Sequence, residues 1–154
     1  MNPTVIHHTF VLQRSFPVPP ERVFAAFSDP AQKRSWFVGG GHGAEQYELD
    51  FKVGGAERMM SRLGPETPFP GTPLSSEGIH LDIVPNKRVV IAASMALGDH
   101  RISAALATFD LTPTETGTDL TFTHQAAFFE NSDGPTMREA GWNKLLNSLA
   151  ANLK

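Results

Sequence analysis

The chain has 154 residues, 13 Lys plus Arg against 16 Asp plus Glu, and no cysteine. One domain's length, with 40% hydrophobic and 19% charged residues, excludes a disordered or fibrous chain, and the lack of cysteine excludes disulfides, a thiolate nucleophile and Cys-ligated metal centres. A formal charge of −3 predicts no nucleic-acid partner, because phosphate binding draws on a basic excess or stripe.

Thr4 to Phe16 reads as a strand, with Ile6, Phe10 and Leu12 on one parity and His7, Thr9, Val11 and Gln13 on the other. Polar His7, His8, Gln13 and Arg14 interrupt this start, so no signal peptide is expected there. Proline is well tolerated in a first helical turn, and Val23, Phe24 and Phe27 form an apolar stripe, which predicts a short helix over Pro20 to Phe27. Asp29 is the expected N-cap of a second short helix running through Trp36. The run Gly39 to Gly43 then breaks the chain. With Ala44 it matches the glycine spacing of a dinucleotide site, but such a site needs a strand before it and a helix after, and the order here is reversed. It is read as a loop.

From Glu45 the pattern is strand after strand. Tyr47, Leu49 and Phe51 alternate with charged residues, Gly54-Gly55 turns the chain, and Ala56 to Leu63 returns. Four prolines between Gly64 and Pro73 predict an irregular loop. Further strands are expected at Ser76 to Val84, Arg88 to Leu97, Arg101 to Leu111 and Thr118 to Phe128. Thr136-Met137-Arg138-Glu139 matches a capping box, and Trp142, Leu145, Leu146, Leu149 and Leu153 lie at helical spacing on one face of a long final helix to Lys154. No segment approaches the ~20 apolar residues of a spanning helix, and the Asn152-Leu153-Lys154 end holds no lipidation box. No membrane association and a cytoplasmic location are expected.

A curved antiparallel sheet has one apolar face, and one long helix must cover it. Six or seven strands are wider than one helix, so large side chains fill the remaining concave space or a cavity remains there. Eleven Phe, five Met and two Trp serve either outcome.

This order, with Pro19-Pro20-Glu21-Arg22-Val23-Phe24, Asp29-Pro30, Trp36-Phe37, Val53-Gly54-Gly55-Ala56-Glu57, Asp82-Ile83-Val84-Pro85, Ala107-Thr108-Phe109, Gly117-Thr118-Asp119-Leu120-Thr121 and Gly141-Trp142, resembles the START-like (helix-grip, SRPBCC) superfamily, and within it the activator of heat-shock-protein ATPase homologues. The resemblance implies an α+β helix-grip fold over residues 1–154 as a single domain: a curved antiparallel sheet of six to seven strands around a long C-terminal helix, with two short helices after the first strand. It also implies hosts of very different chemistry, from lipid carriers to aromatase/cyclases. Co-chaperone members of the family carry a separate client-binding domain. Here one helix-grip domain uses the whole length, so a chaperone partner is not expected. Thr123-His124-Gln125-Ala126 stands where similar sequences often read Thr-Glu-Gln-Gly, exchanging a carboxylate for an imidazole.

The candidate chemistry rests on few residues. His124 shares parity with Leu120 and Phe122, on the face turned to the helix. It is either hydrogen-bonded at the sheet's rim, or a ligand partner or proton carrier near neutral pH. His7 and His8 point to opposite faces, His42 sits in the glycine run, and His80 and His100 belong to other strands, so no metal site is expected. A plain two-residue turn at Gly54-Gly55 would direct Arg58 and Arg62 to the apolar face. A bulge would instead direct Glu57, Met59 and Ser61 inward, and the family's Gly-Gly-x-Glu segment favours that register. An inward Glu57 needs a partner, for which Arg101 is a candidate; otherwise it is a solvated acid or part of a rim salt bridge.

The expected function is non-enzymatic binding of an apolar or amphiphilic small molecule between the sheet and the last helix. Trp36, Glu57, Met59, Arg101, Phe109, Phe122, His124 and Trp142 are its candidate ligand-binding residues. No catalytic residue, metal or cofactor is assigned, and a homodimer is compatible with the sequence. The alternative is a polyketide cyclase or isomerase in the same cavity, with His124 or Glu57 moving protons; a third is activation of a chaperone ATPase.

Overall fold

Alternating apolar residues build seven strands, and each bounding proline or glycine cluster ends one. The computed structural model describes residues 4–38 and 44–154; the expected glycine loop at 39–43, with His42, lies outside the described residues. In chain order the elements are β1 (Ile6–Phe16), α1 (Pro20–Ser28), α2 (Pro30–Phe37), β2 (Ala44–Leu49), β3 (Ala56–Arg62), β4 (Pro73–Val84), β5 (Arg88–Leu97), β6 (His100–Pro113), β7 (Thr118–Phe128) and α3 (Pro135–Asn152). The strands form one curved antiparallel sheet in the order β1-β7-β6-β5-β4-β3-β2. The segment holding α1 and α2 therefore joins one edge strand to the other, and α3 packs on α2 and β1. This is the α+β helix-grip arrangement.

Local chemistry fixes the element ends. Asp29 caps α2, its carboxylate accepting from the backbone N–H groups of Ala31 (2.9 Å) and Gln32 (3.4 Å). The expected capping box at Thr136 and Glu139 does not form. Gly134, at φ 85°, precedes Pro135 as N-cap, and no side chain caps the helix. Only glycine takes that φ cheaply, and proline suits the first helical turn, so the chain commits to helix one residue before the hydroxyl. The expected strand through Phe51 stops at Leu49; Phe51 instead packs edge-on against Phe24 and His80.

The β2–β3 turn is wider than a two-residue hairpin. Leu49 pairs with Glu57 and Tyr47 with Met59, while Gly54 takes φ 84° and a Cβ on Gly55 would collide with the carbonyl oxygen of Asp50. This is the register that turns Glu57 and Ser61 inward, at 8% and 4% exposure.

Register also organises the concave face into rows, since residues directly opposite across strands share a face. One row runs Val89, Phe109, Phe122, Leu12. The next runs His80, Ile91, Ala107, His124, Phe10, and the one after it Glu57, Gly78, Ala93, Ala105, Ala126, His8. Beyond that lie Met59, Ser76, Met95, Ser103 and Phe128. The first row carries the core with Phe16, Val23, Phe27, Trp36, Leu146 and Leu149. Ile6 shares the inward parity, yet it is exposed.

Candidate functional site

α2 delivers a lysine into the interior. Lys33 precedes Trp36 and Phe37 by three and four residues, so all three share one helix face. Its ammonium lies 3.1 Å from Glu57 Oε2 and over the rings of Phe37, Trp36 and Phe27, at 4.5, 5.1 and 5.5 Å. Lys33 is 2% exposed, so the carboxylate and the aromatic faces replace its water shell. The Tyr47 hydroxyl donates to the same Oε2 at 2.6 Å. Burial first, then the Glu57 charge, raises the Tyr47 pKa above its ordinary value and keeps the phenol a donor. Arg101, the expected partner of Glu57, is not involved. A bulge between Met95 and Ala96 places Arg101 opposite Ala96, exposed on the outer face.

A second polar cluster holds the start of α3. Arg138 donates from Nε and Nη2 to the two carboxylate oxygens of Asp133, both at 2.8 Å, and from Nη2 to Ser103 Oγ at 3.0 Å. Its guanidinium lies over the Phe128 ring at 5.1 Å, which explains how an arginine reaches 7% exposure. Burial alone would raise the Asp133 pKa; the hydrogen bonds and charge of Arg138 outweigh it and hold the carboxyl below its usual value.

Between these clusters stands His124. It is 3% exposed, stacks on Phe10 with centroids 4.7 Å apart, and faces Trp142 at 6.3 Å. Its Nδ1 has no hydrogen-bond partner. Burial pushes its pKa down to about 4; Arg138 and His8 act in the same direction and Asp133 against it. The imidazole is therefore neutral at neutral pH, a donor at one nitrogen and an acceptor at the other. His80, in the same row, lies 2.9 Å from Gly55 O through Nδ1; its Nε2 is likewise buried without a partner. Among the described residues no three metal-ligating side chains come together.

The structure divides the sequence-derived set. Trp36, Phe109 and Phe122 are sealed in the core at no more than 1% exposure. Trp36 Nε1 donates to Ala26 O at 2.8 Å, and Phe109 stacks on Phe122 at 4.6 Å. Met59 and Trp142 are only half-buried, as are the inward-facing Ser76, Ala93, Met95 and Ala105. These six residues keep solvent access in the interior of the grip, beside the part of the face that the helices seal. Lys33, Tyr47, Ser103, Asp133 and Arg138 were not in the set. For Lys33 and Arg138 the signal existed: each precedes an aromatic residue (Trp36 and Phe37, or Trp142) by three or four positions on its helix.

Two depressions of about 470 and 250 Å³ occur among the described residues. The larger is lined mainly by His7, Thr9, Ala104, Leu106, Gln125 and Ala127, which the register places on the outer face. The smaller includes Glu77, Asp99 and Arg101. No helix among the described residues is long and apolar enough to cross a membrane.

Comparison with known proteins agrees with this architecture. The protein Mll3558 from Rhizobium loti is 42% identical, with a TM-score of 0.84 over 97% of this chain and 99% of that one. A protein from Rhizobium leguminosarum is 35% identical, with a TM-score of 0.89 over 97% and 95%. DynU16, a protein in the dynemicin biosynthetic locus, is 19% identical with a TM-score of 0.66, covering 94% of this chain and 46% of that one; it shows the fold alone. None of the curated proteins compared with the chain matches it. The family model described as Activator of Hsp90 ATPase homolog 1-like protein matches residues 17–154. With that match and the two rhizobial relatives, the chain belongs to the Activator of Hsp90 ATPase homolog 1-like family, on the SRPBCC helix-grip fold.

Proposed function

We propose that the protein binds a small apolar or amphiphilic molecule, without transforming it, between the concave sheet face and α3. The observation that carries this is the half-burial of Met59, Ser76, Ala93, Met95 and Ala105. They point into the grip, and each keeps partial exposure where the rows nearer α3 and α2 are sealed. A contiguous inward apolar surface that keeps access to solvent has the character of a small-molecule site, apolar with a few placed polar groups. His124, Glu57 and Trp142 border it. Native mass spectrometry and thermal melting against a panel of lipids and aromatic compounds test the reading. Adducts of ligand mass with raised melting temperature are expected. No adduct and no shift with any compound would sink it.

The cyclase or isomerase reading has less support. An efficient acid–base group has a pKa near the working pH, and the pKa of His124 is lowered to about 4. Glu57 Oε2 already accepts from Tyr47 and pairs with Lys33, which weakens that oxygen as a base.

A further inference from the structure

The two edges of the sheet are built differently. β2 is six residues long, its register with β3 shifts between Ala44 and Gln46, and it carries exposed Glu45 and Glu48. Shortness, a bulge and charge are means by which an edge strand avoids pairing with another chain. β1 uses none of them. It runs eleven residues, pairs with β7 without interruption from Ile6 to Phe16, and holds no proline, lysine or acid. Its Ile6 and Val11 are 59% and 53% exposed.

The strand registers identify the open backbone groups. Phe129 N–H donates to Ile102 O at 2.8 Å, one step beyond the Phe128–Ser103 pair. Hydrogen-bonded and non-hydrogen-bonded pairs alternate along an antiparallel ladder, so odd-numbered residues of β7 bond toward β6 and even-numbered ones toward β1. The β1 residues opposite the even ones are Ile6, His8, Phe10, Leu12 and Arg14. His7, Thr9, Val11 and Gln13 therefore aim their N–H and C=O groups away from the sheet, and among the described residues no backbone group meets them. Gln13 O accepts from a side chain instead, Arg14 Nη1 at 2.9 Å.

This edge is complementary to itself. Antiparallel pairing about a two-fold axis at Phe10 sets Thr9 opposite the second copy's Val11, and His7 opposite its Gln13, as hydrogen-bonded pairs. On the concave side Ile6 meets the second copy's Arg14, and His8 meets its Leu12, so no like charges are opposed. Asn143 Oδ1 and Asn147 Oδ1 accept from Arg14 Nη2 at 2.8 and 3.2 Å, which turns the guanidinium toward its own α3. An axis at Val11 would oppose His8 and Arg14, two basic residues, and an axis at Thr9 would pair less of β1. The seam would be ~30 Å long and one sheet thick, an interface of the small, concentration-dependent class.

We propose that β1 pairs antiparallel with β1 of a second copy about Phe10, joining two seven-stranded sheets into one. The pairing is independent of the ligand reading above.

Sedimentation of the wild-type chain from about 5 to 500 µM should show a monomer passing to a species of twice its mass, as expected of a small interface. A chain that stays monomeric throughout would overturn the proposal. Val11→Pro removes an N–H that the fold itself does not use, and should weaken dimerisation by about tenfold or more. Val11→Lys places a charge on the edge and should act in the same direction with the backbone intact. Gln46→Lys, on the opposite edge, should leave dimerisation unchanged. Dimers that survive both Val11 substitutions, or are lost in Gln46→Lys, would place the interface elsewhere. The chain has no cysteine, so Thr9→Cys and Val11→Cys variants report the register. Mixed and oxidised, the two variants should cross-link to each other, because directly paired Cα atoms at ~5.5 Å lie within disulfide reach. Cross-linking within either variant alone, ahead of the mixed product, would overturn the axis at Phe10.

Discussion

The concave face of this sheet is two surfaces built on the same strands. In the rows through Phe109 and Ile91, Val89, Phe109, Phe122, Ile91, Ala107, His124 and Phe10 are all below 9% exposure, and Leu12 at the β1 end is half-buried. One and two rows further along the same strands, Ala93, Ala105, Ser76, Met59 and Met95 stay half-buried, while Glu57, Gly78, Ala126, Ser103 and Phe128 in the same rows are buried. The backbone pairing continues unbroken from one region to the other. What changes is the volume of side chain per row and the position of the helices. Where α1, Trp36, Leu146 and Leu149 meet phenylalanines, the space closes into a core; in the glycine and alanine row, Ala93 and Ala105 keep partial exposure. Stability resides in the first region; the second is where the proposed binding would occur.

The sharpest way to break the sealed region is through its largest side chain. Trp36→Ala should cost about 3–5 kcal/mol, the range for aromatic truncation in a core, and it also strips Ala26 O of its indole donor. Urea denaturation reads this directly, and a cost below about 1 kcal/mol would mean the region is not the stability core. Next in size is the border between the regions. Lys33→Met leaves Glu57 buried with only the Tyr47 hydroxyl, at roughly 3 kcal/mol, as when one partner of a buried pair is removed. Adding Glu57→Gln should recover more than half of that loss, because the stranded charge is gone. A double variant no more stable than the single would show that the ion pair is not what Lys33 supplies.

The sequence made the first region legible and hid the second. Period-two alternation gave β5 and β7 their observed bounds, and helical spacing gave the buried stripe of α3. The inward turn of Glu57 was readable through the Gly-Gly-x-Glu segment, but its partner was not. Lys33 sits on another element, and arginine at 101 looked as suitable until the β5–β6 bulge turned it outward. Arg138 read as part of a capping box because Thr136 and Glu139 have that spacing; Gly134 and Pro135 start the helix earlier, and Asp133 and Ser103 then draw the guanidinium inward. The small-residue row has no local signature at all. Gly78, Ala93, Ala105 and Ala126 become neighbours only through three strand registers, with an extra residue in β4 (Leu81) and one in β6 (Ile102) on either side of the shared row.

A third effect tests the histidine between the regions. The folded-state pKa of His124 lies at about 4, below the 6.5 of an unperturbed imidazole. Between those values the unfolded chain binds the additional proton, so this contribution is fully present above pH 6.5 and is lost as pH falls toward 4. The loss is on the order of 2 kcal/mol by pH 4.5. Asp133 acts in a separate window, because its depressed pKa keeps it ionised until the pH falls below the ordinary carboxylate range. Melting curves of wild type and His124→Phe should diverge between pH 6.5 and 4.5, with the variant flatter. Parallel curves would mean that His124 is not held neutral by burial, whatever Arg138, Asp133 and His8 contribute around it.

The smallest expected effect gives the finest distinction, since it places one substitution in each region of a single strand. Ala107 and Ala105 are two residues apart on β6, point to the same face, and differ in that Ala107 is sealed and Ala105 half-buried. Leucine at 107 has to displace His124 or Ile91, its cross-strand neighbours, and should cost about 1–3 kcal/mol as overpacking. Leucine at 105 starts from a half-buried position beside half-buried Ala93, and should change stability by less than about 0.5 kcal/mol. Equal costs at the two positions would mean that the small-residue row is as tightly packed as its neighbour, and the proposed binding region would lose its physical basis. A large cost at 107 with none at 105 would locate the boundary between the sealed and half-buried regions to within two residues of one strand.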